Sequence, residues 1–190
     1  MKITKTEFKK GLKGQDSILE DGLPQIAFVG RSNVGKSSLI NTLTNTKGLA
    51  RASSFPGRTQ ELNVFLINNK LYFIDLPGYG FARGSNKMGD KINKLLYWYL
   101  FDSKCNPKVF LIIDAEVGPT KSDLEVFGML KESQKQIIVV ANKIDKIKKS
   151  EYQKQMKLIE EQFQGYKIIP FSSKAKTVIG ELSVEIFDKA

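Results

Sequence analysis

The densest chemistry in this chain lies at Gly30-Arg31-Ser32-Asn33-Val34-Gly35-Lys36-Ser37. The spacing G-x-x-x-x-G-K-S is that of a loop that wraps phosphate groups in backbone N–H donors. Gly30 and Gly35 let the backbone curl so that successive N–H groups converge on one concavity. A helix beginning near Gly35 adds its unpaired N–H groups and the positive end of its dipole. Lys36 supplies a point charge for the β- and γ-phosphates, and the Ser37 hydroxyl a ligand for Mg²⁺.

Three further clusters follow in order. Asp75-Leu76-Pro77-Gly78 places a carboxylate where it can hold Mg²⁺ through a water, and a glycine N–H where a γ-phosphate can approach the backbone. Asn142-Lys143-Ile144-Asp145 offers a carboxylate that can accept from both guanine N1–H and the guanine amino group. Adenine presents neither donor, so an unpaired carboxylate would penalise it. The Lys143 stem can cover a base face, and Asn142 can brace neighbouring loops. Ser172-Ser173-Lys174 adds a backbone N–H, at Ser173, for guanine O6.

These clusters need a scaffold that brings them to one edge. Strands are read at 24–30, 62–67, 70–75, 108–114, 136–141 and 167–171, and helices at 35–44, 91–101, 150–163 and 177–187. A further helix is capped by Thr120, with Asp123 at the capping-box position and Leu124, Phe127 and Leu130 as its inner stripe. Asn68-Asn69 reads as a tight hairpin turn. Alternation of strands and helices predicts a three-layer α/β domain built on a mainly parallel six-stranded sheet with one antiparallel edge strand. Such sheets bind ligands at the carboxyl ends of their strands. All four clusters fall there. Residues 1–23 read as an extension packed on the domain edge, with Phe8 and Leu12 as anchors, and residues 24–190 as a single domain. The stretches 45–60 and 76–89 read as long loops.

The 190 residues carry a formal net charge of +10, one cysteine (Cys105) and no histidine. Lack of histidine excludes Ser-His-Asp and Cys-His hydrolysis. One cysteine and no histidine make a zinc site improbable and leave no intrachain disulfide, which fits a reducing cytoplasm. There is neither a membrane-length apolar run nor a signal-peptide core. The charge suggests an anionic partner larger than a nucleotide, RNA first. Residues 24–60 hold Arg31, Lys36, Lys47, Arg51 and Arg58 and no acid.

The ordered set resembles the translation-factor-like GTPases over residues 24 to about 175. Within them, Gly30 to Asn41, Pro56-Gly57-Arg58-Thr59-Gln60, Asp75 to Gly80 and Gly118-Pro119-Thr120 resemble the EngB (YsxC/YihA) branch of bacterial ribosome-assembly GTPases. The resemblance implies a single-domain, monomeric, cytoplasmic GTP-binding switch that uses Mg²⁺, associates with the large ribosomal subunit and is linked to cell division and septation. It implies GTP contacts at 30–37, at Gly57, Arg58, Thr59, Gln60 and Glu61, at Asp75, Leu76, Pro77 and Gly78, at 142–145, and at Phe171, Ser172 and Ser173. It implies Mg²⁺ ligation by Ser37, Thr59 and Asp75, and catalysis through Lys36, Thr59 and Asn33. The chain departs from the branch at Glu116-Val117, where a basic or histidine pair is common, and at Asn142, where threonine is common.

Phosphoryl transfer is mostly positioning and charge neutralisation. Tyr79 follows Gly78 where many GTPases carry a water-orienting glutamine, so slow unaided hydrolysis is expected, with a partner or an ion completing the site. Asn33 occupies the position from which related GTPases hold K⁺ against the phosphates. Arg51, Arg58, Arg83, Lys87 and Lys91 lie in or beside the two loops expected to switch. The other readings are a nucleotide-regulated RNA- or protein-binding module whose hydrolysis is incidental, and a phosphate-loop ATPase or kinase, which Asp145 opposes.

Overall fold

The computed structural model of the chain describes residues 2–50, 61–80, 87–174 and 179–187. Gly57, Arg58, Thr59 and Gln60, and the charges expected at Arg51, Arg83 and Lys87, lie outside the described residues or their described side chains.

Strands β1 (Thr6–Leu12), β2 (Gln25–Gly30), β3 (Leu62–Ile67), β4 (Leu71–Asp75), β5 (Lys108–Asp114), β6 (Ile137–Asn142) and β7 (Lys167–Phe171) form one sheet in the order β1-β3-β4-β2-β5-β6-β7. β4, β2, β5, β6 and β7 run parallel, while β3 pairs antiparallel with both β4 and β1. The sheet therefore has seven strands rather than six. Its one reversed strand is not at the edge, because part of the N-terminal extension forms the edge beyond it. β1 escaped the sequence reading because Thr6-Glu7-Phe8-Lys9-Lys10-Gly11-Leu12 is mostly polar, as suits an edge. Leu12 is buried as expected, but Phe8 is half exposed and leans on Phe65 with ring centroids 5.5 Å apart.

Helices α1 (Lys36–Leu43), α2 (Lys87–Tyr97), α3 (Lys121–Glu132), α4 (Tyr152–Gln162) and α5 (Ile179–Phe187) cover both faces. Alternation along the strands assigns each apolar residue to a face. Ile26 and Phe28 of β2, with Phe110 and Ile112 of β5, pack under α1 and α5 against Leu39, Ile40, Leu182 and Ile186. Ala27 and Val29, with Val109, Leu111 and Ile113, face α2, α3 and α4 through Ile92, Leu95, Phe127, Leu130, Met156 and Ile159. Burial on both sides explains why β5 and β6 read as unbroken apolar runs. Past Tyr97 the helix widens into a π-turn at Trp98–Asp102, closed by the Ser103 N–H on the Trp98 carbonyl at 2.7 Å.

At the hairpin, Asn68 and Asn69 both take positive φ, 52° and 56°, which matches the strand twist. The Asn68 side chain also accepts from the Thr4 and Lys5 N–H groups and donates to the Lys2 carbonyl, fastening the chain ahead of β1. No helix among the described residues is long and apolar enough to cross a membrane.

Candidate functional site

The carboxyl ends of β2, β4, β5, β6 and β7 lie along one edge of the sheet, and the strand order reverses beside β2. The turn after β2 carries the glycine-rich loop. Gly35, the N-cap of α1, has φ 99°, and a Cβ there would lie 2.3 Å from Asn142 Nδ2. Only glycine satisfies both the dihedral and the space. Lys36 is 8% exposed, and its ammonium is folded back to donate to the Gly30 and Arg31 carbonyls at 2.8 and 3.0 Å. Burial lowers its pKa to about 8, against the attraction of Asp75. Asn33 stands at the exposed tip of the loop with φ 65°.

Ser37, on the first turn of α1, donates its hydroxyl to Asp75 Oδ2 at 3.1 Å. Asp75 ends β4, 2% exposed, with Oδ1 buried and unpartnered among the described residues. Burial raises its pKa to about 6, with Lys36 and the Ser37 hydroxyl opposing. An orphaned carboxylate oxygen beside a hydroxyl is a donor set that fits a hydrated hard divalent cation. Beyond it, Leu76 and Pro77 are buried, and Gly78 packs so closely on the phosphate loop that a Cβ would lie 2.6 Å from the Ser32 nitrogen.

After β6, Asn142 Nδ2 donates to the Val34 carbonyl at 2.8 Å, joining this strand end to the phosphate loop. Lys143, at φ 68°, donates to the Asn33 carbonyl at 2.7 Å and to Asp114 Oδ2 at 2.6 Å. Its ammonium thus braces the loop, a contact the sequence reading did not foresee. Ile144–Lys146 form a 3₁₀ turn that leaves Asp145 exposed. The Ser172 hydroxyl, past the buried Phe171, donates to Asp145 Oδ1 at 2.6 Å and so orients the carboxylate. Ser173 follows, with its hydroxyl oxygen buried and unpartnered among the described residues.

The structure therefore brings together the phosphate loop, Ser37, Asp75, Gly78, the Asn142–Asp145 segment and Ser172-Ser173. It does not bring Glu61 to them; among the described residues that carboxylate meets Lys13 at 3.2 Å. Glu116 faces Lys146 at 3.6 Å, and Val117 is largely exposed.

Two residues do more than the sequence suggested. Tyr79 is buried, and its hydroxyl donates to Asp123 Oδ1 at 2.7 Å. Burial first, then Asp123, hold its pKa well above the ordinary phenol value. Asp123, read only as a cap, is wholly buried and also accepts from Arg31 Nε at 3.2 Å. Nothing in the spacing announces a pair 92 positions apart.

The family described as 50S ribosome-binding GTPase matches residues 25–143, and the elongation factor Tu GTP binding domain matches residues 105–189. A probable GTP-binding protein EngB of Clostridioides difficile is 38% identical over 192 residues, covering 100% of this chain and 95% of the relative. The Lactobacillus helveticus protein of the same description is 44% identical over 180 residues, covering 92% and 91%. Among solved structures, a probable GTP-binding protein engB superposes with TM-score 0.69 at 28% identity, covering 86% of this chain and 97% of that one. Era, in complex with MgGDPNP and nucleotides 1506–1542 of 16S ribosomal RNA, superposes with TM-score 0.71 at 30% identity, covering 86% and 55%. With its phosphate loop, Asp75–Gly78 turn and Asn142–Asp145 segment gathered at one sheet edge, the chain belongs to the EngB family of P-loop GTP-binding proteins.

Proposed function

We propose that the chain is a slow GTPase switch that acts in the cytoplasm, as a monomer, in assembly of the large ribosomal subunit, and thereby bears on cell division and septation. The observation that carries the nucleotide part is the brace through Asn142, which ties the phosphate loop to the segment that presents Asp145. In this reading the N–H groups of 31–36 wrap the phosphates and Lys36 turns from the loop carbonyls to the β- and γ-phosphates. Asp145, held by Ser172, reads guanine, the Ser173 N–H meets O6, and the Lys143 stem covers the base. Phe171, Leu76, Pro77 and Ile144 shape the surrounding backbone. Gly57, Arg58, Thr59 and Gln60 belong to the switch, with Thr59 joining Ser37 and Asp75 around Mg²⁺, while Glu61 stays with Lys13 beside β1. When bound, Mg²⁺ neutralises charge on the phosphate oxygens. Asn33 holds K⁺ at the loop tip.

Slow hydrolysis rests on Tyr79, whose side chain is committed to Asp123 and is chemically unable to orient water as an amide does. That also favours binding, rather than turnover, as the working output. The ribosomal part is supported by the match to the 50S ribosome-binding GTPase family, by Era's RNA complex and by the net charge of +10.

Two experiments test it. Asp145→Asn replaces two acceptors with one acceptor and one donor, which suits xanthine; it should exchange guanine for xanthine preference, and an unchanged guanine preference would remove Asp145 from the site. Co-sedimentation with large ribosomal subunits should need a non-hydrolysable GTP analogue and survive moderate salt. Binding that ignores the nucleotide and vanishes with salt would reduce the charge to generic attraction for RNA.

A further inference from the structure

The Asp75–Gly78 turn does not merely lie near the phosphate loop; it is tied to it. The Ser32 N–H donates to the Tyr79 carbonyl at 3.1 Å, the Ser32 hydroxyl to the Gly78 carbonyl at 3.4 Å, and Arg31 and Tyr79 form a parallel bridge. The side chains of the same pair, Arg31 and Tyr79, then converge on the two oxygens of Asp123. Asp123 is itself immobilised. It has no exposed surface, and it exchanges bonds with Thr120, accepting from the Thr120 N–H at 2.9 Å and hydroxyl at 2.7 Å as the capping box of α3. One fixed carboxylate on a rigid helix thus holds one residue from each loop.

We propose that Asp123 is a positioning residue for discrimination between GTP and GDP: by clamping Arg31 and Tyr79 it sets the distance between the phosphate loop and the Gly78 turn before nucleotide arrives. This rests on the reading, given above, that Gly78 meets the γ-phosphate. GDP needs only the phosphate loop, whereas the γ-phosphate needs both loops in register. A clamp that fixes their separation therefore lowers the ordering cost of GTP alone. It also gives the buried tyrosine after Gly78 a task, since its hydroxyl is the handle by which the turn is held.

The test compares binding of fluorescent GDP and of a non-hydrolysable GTP analogue to the full chain and to Asp123→Asn and Tyr79→Phe. Asparagine keeps the volume and a capping oxygen, and phenylalanine loses one hydroxyl. Asp123→Asn should weaken the GTP analogue about 10-fold and GDP less than about 2-fold, as expected for one charge-assisted bond. Tyr79→Phe should move the ratio in the same direction by about 3-fold, and the double variant should fall short of the product because both break one clamp. Equal weakening of both nucleotides would show that Asp123 serves only the fold, and an unchanged or tightened GTP ratio would equally overturn the proposal. Should Asp123→Asn fail to fold, an unchanged ratio in Tyr79→Phe overturns it alone. Failure of the parent chain to bind either nucleotide would instead refute the reading of the site.

Discussion

Replacing Asn142 by alanine separates the architecture of the site from its chemistry. Its Nδ2 supplies the 2.8 Å bond to the Val34 carbonyl in a region where the side chain is 2% exposed. Leaving that carbonyl buried without the donor costs about 1–3 kcal/mol. The same substitution removes Asn142 Oδ1, which is buried without a partner among the described residues and carries a similar penalty. In the unliganded variant the loop can relax so that water reaches the Val34 carbonyl, which defers the first cost, so the unfolding midpoint in urea should not fall. The loss falls instead on the phosphate loop, which must be reordered when nucleotide binds. About 1–3 kcal/mol then appears as an affinity loss of roughly 5- to 150-fold. It should be equal for GDP and a GTP analogue, because the brace sits beneath the part of the loop that both require. Asn142→Asp should lose nucleotide affinity too and, unlike alanine, should also lower the urea midpoint, because an ionised carboxylate would be buried facing the Val34 carbonyl. Titration of both nucleotides beside a urea melt decides the matter. Affinity within about 2-fold of the parent, or loss confined to GTP, would refute the reasoning.

Three further outcomes follow from the same geometry. Gly78→Ala would put a Cβ 2.6 Å from the Ser32 nitrogen; single-turnover phosphate release should slow by about 10- to 100-fold, with GDP affinity within about 3-fold. Burial raises the Asp75 pKa to about 6 from 3.8. Between those values the folded chain binds the proton more than the unfolded chain does, so this group subtracts stability as pH rises from 4 to 7. The stability of the parent relative to Asp75→Asn, from urea melts across that range, should fall by up to roughly 3 kcal/mol; a flat difference would contradict the burial argument. Chelation of Mg²⁺ should weaken the GTP analogue by about 10-fold or more in the parent and much less in Asp75→Asn, read by calorimetry.

What the sequence disclosed and what it hid divide along physical lines. β5 was legible to the residue because a strand buried on both faces must be apolar almost throughout, and β3 and β7 because each is a compact apolar run bounded by polar or turn residues. The capping of α3 was legible because its partners are three residues apart. β1 was hidden because Thr6-Glu7-Phe8-Lys9-Lys10-Gly11-Leu12 is mostly polar and exposed and shows no apolar alternation. At the site, each cluster was readable because its spacing is local. The bonds that hold the clusters to one another, Asn142 to Val34, Lys143 to Asn33 and Arg31 to Asp123, span 92 to 110 positions and leave no local trace. Lys143 was expected over a base, and only the folded chain gives its ammonium a second post on the phosphate loop.

The polar edge strand also bears on how the chain is made. β1 leaves the ribosome well before β3, yet Thr6 is paired with Ile67 and Leu12 with Leu62. Synthesis proceeds from the N-terminus, so β1 has no partner until the β3–β4 hairpin has emerged, and Asn68 at its tip then fastens the chain ahead of β1. During that interval the strand is exposed with its N–H and C=O groups unpaired, the condition that invites pairing with another chain. Lys9, Lys10 and Glu7 make such pairing unfavourable. The polarity that conceals β1 from a reader of the sequence is the same property that lets it wait.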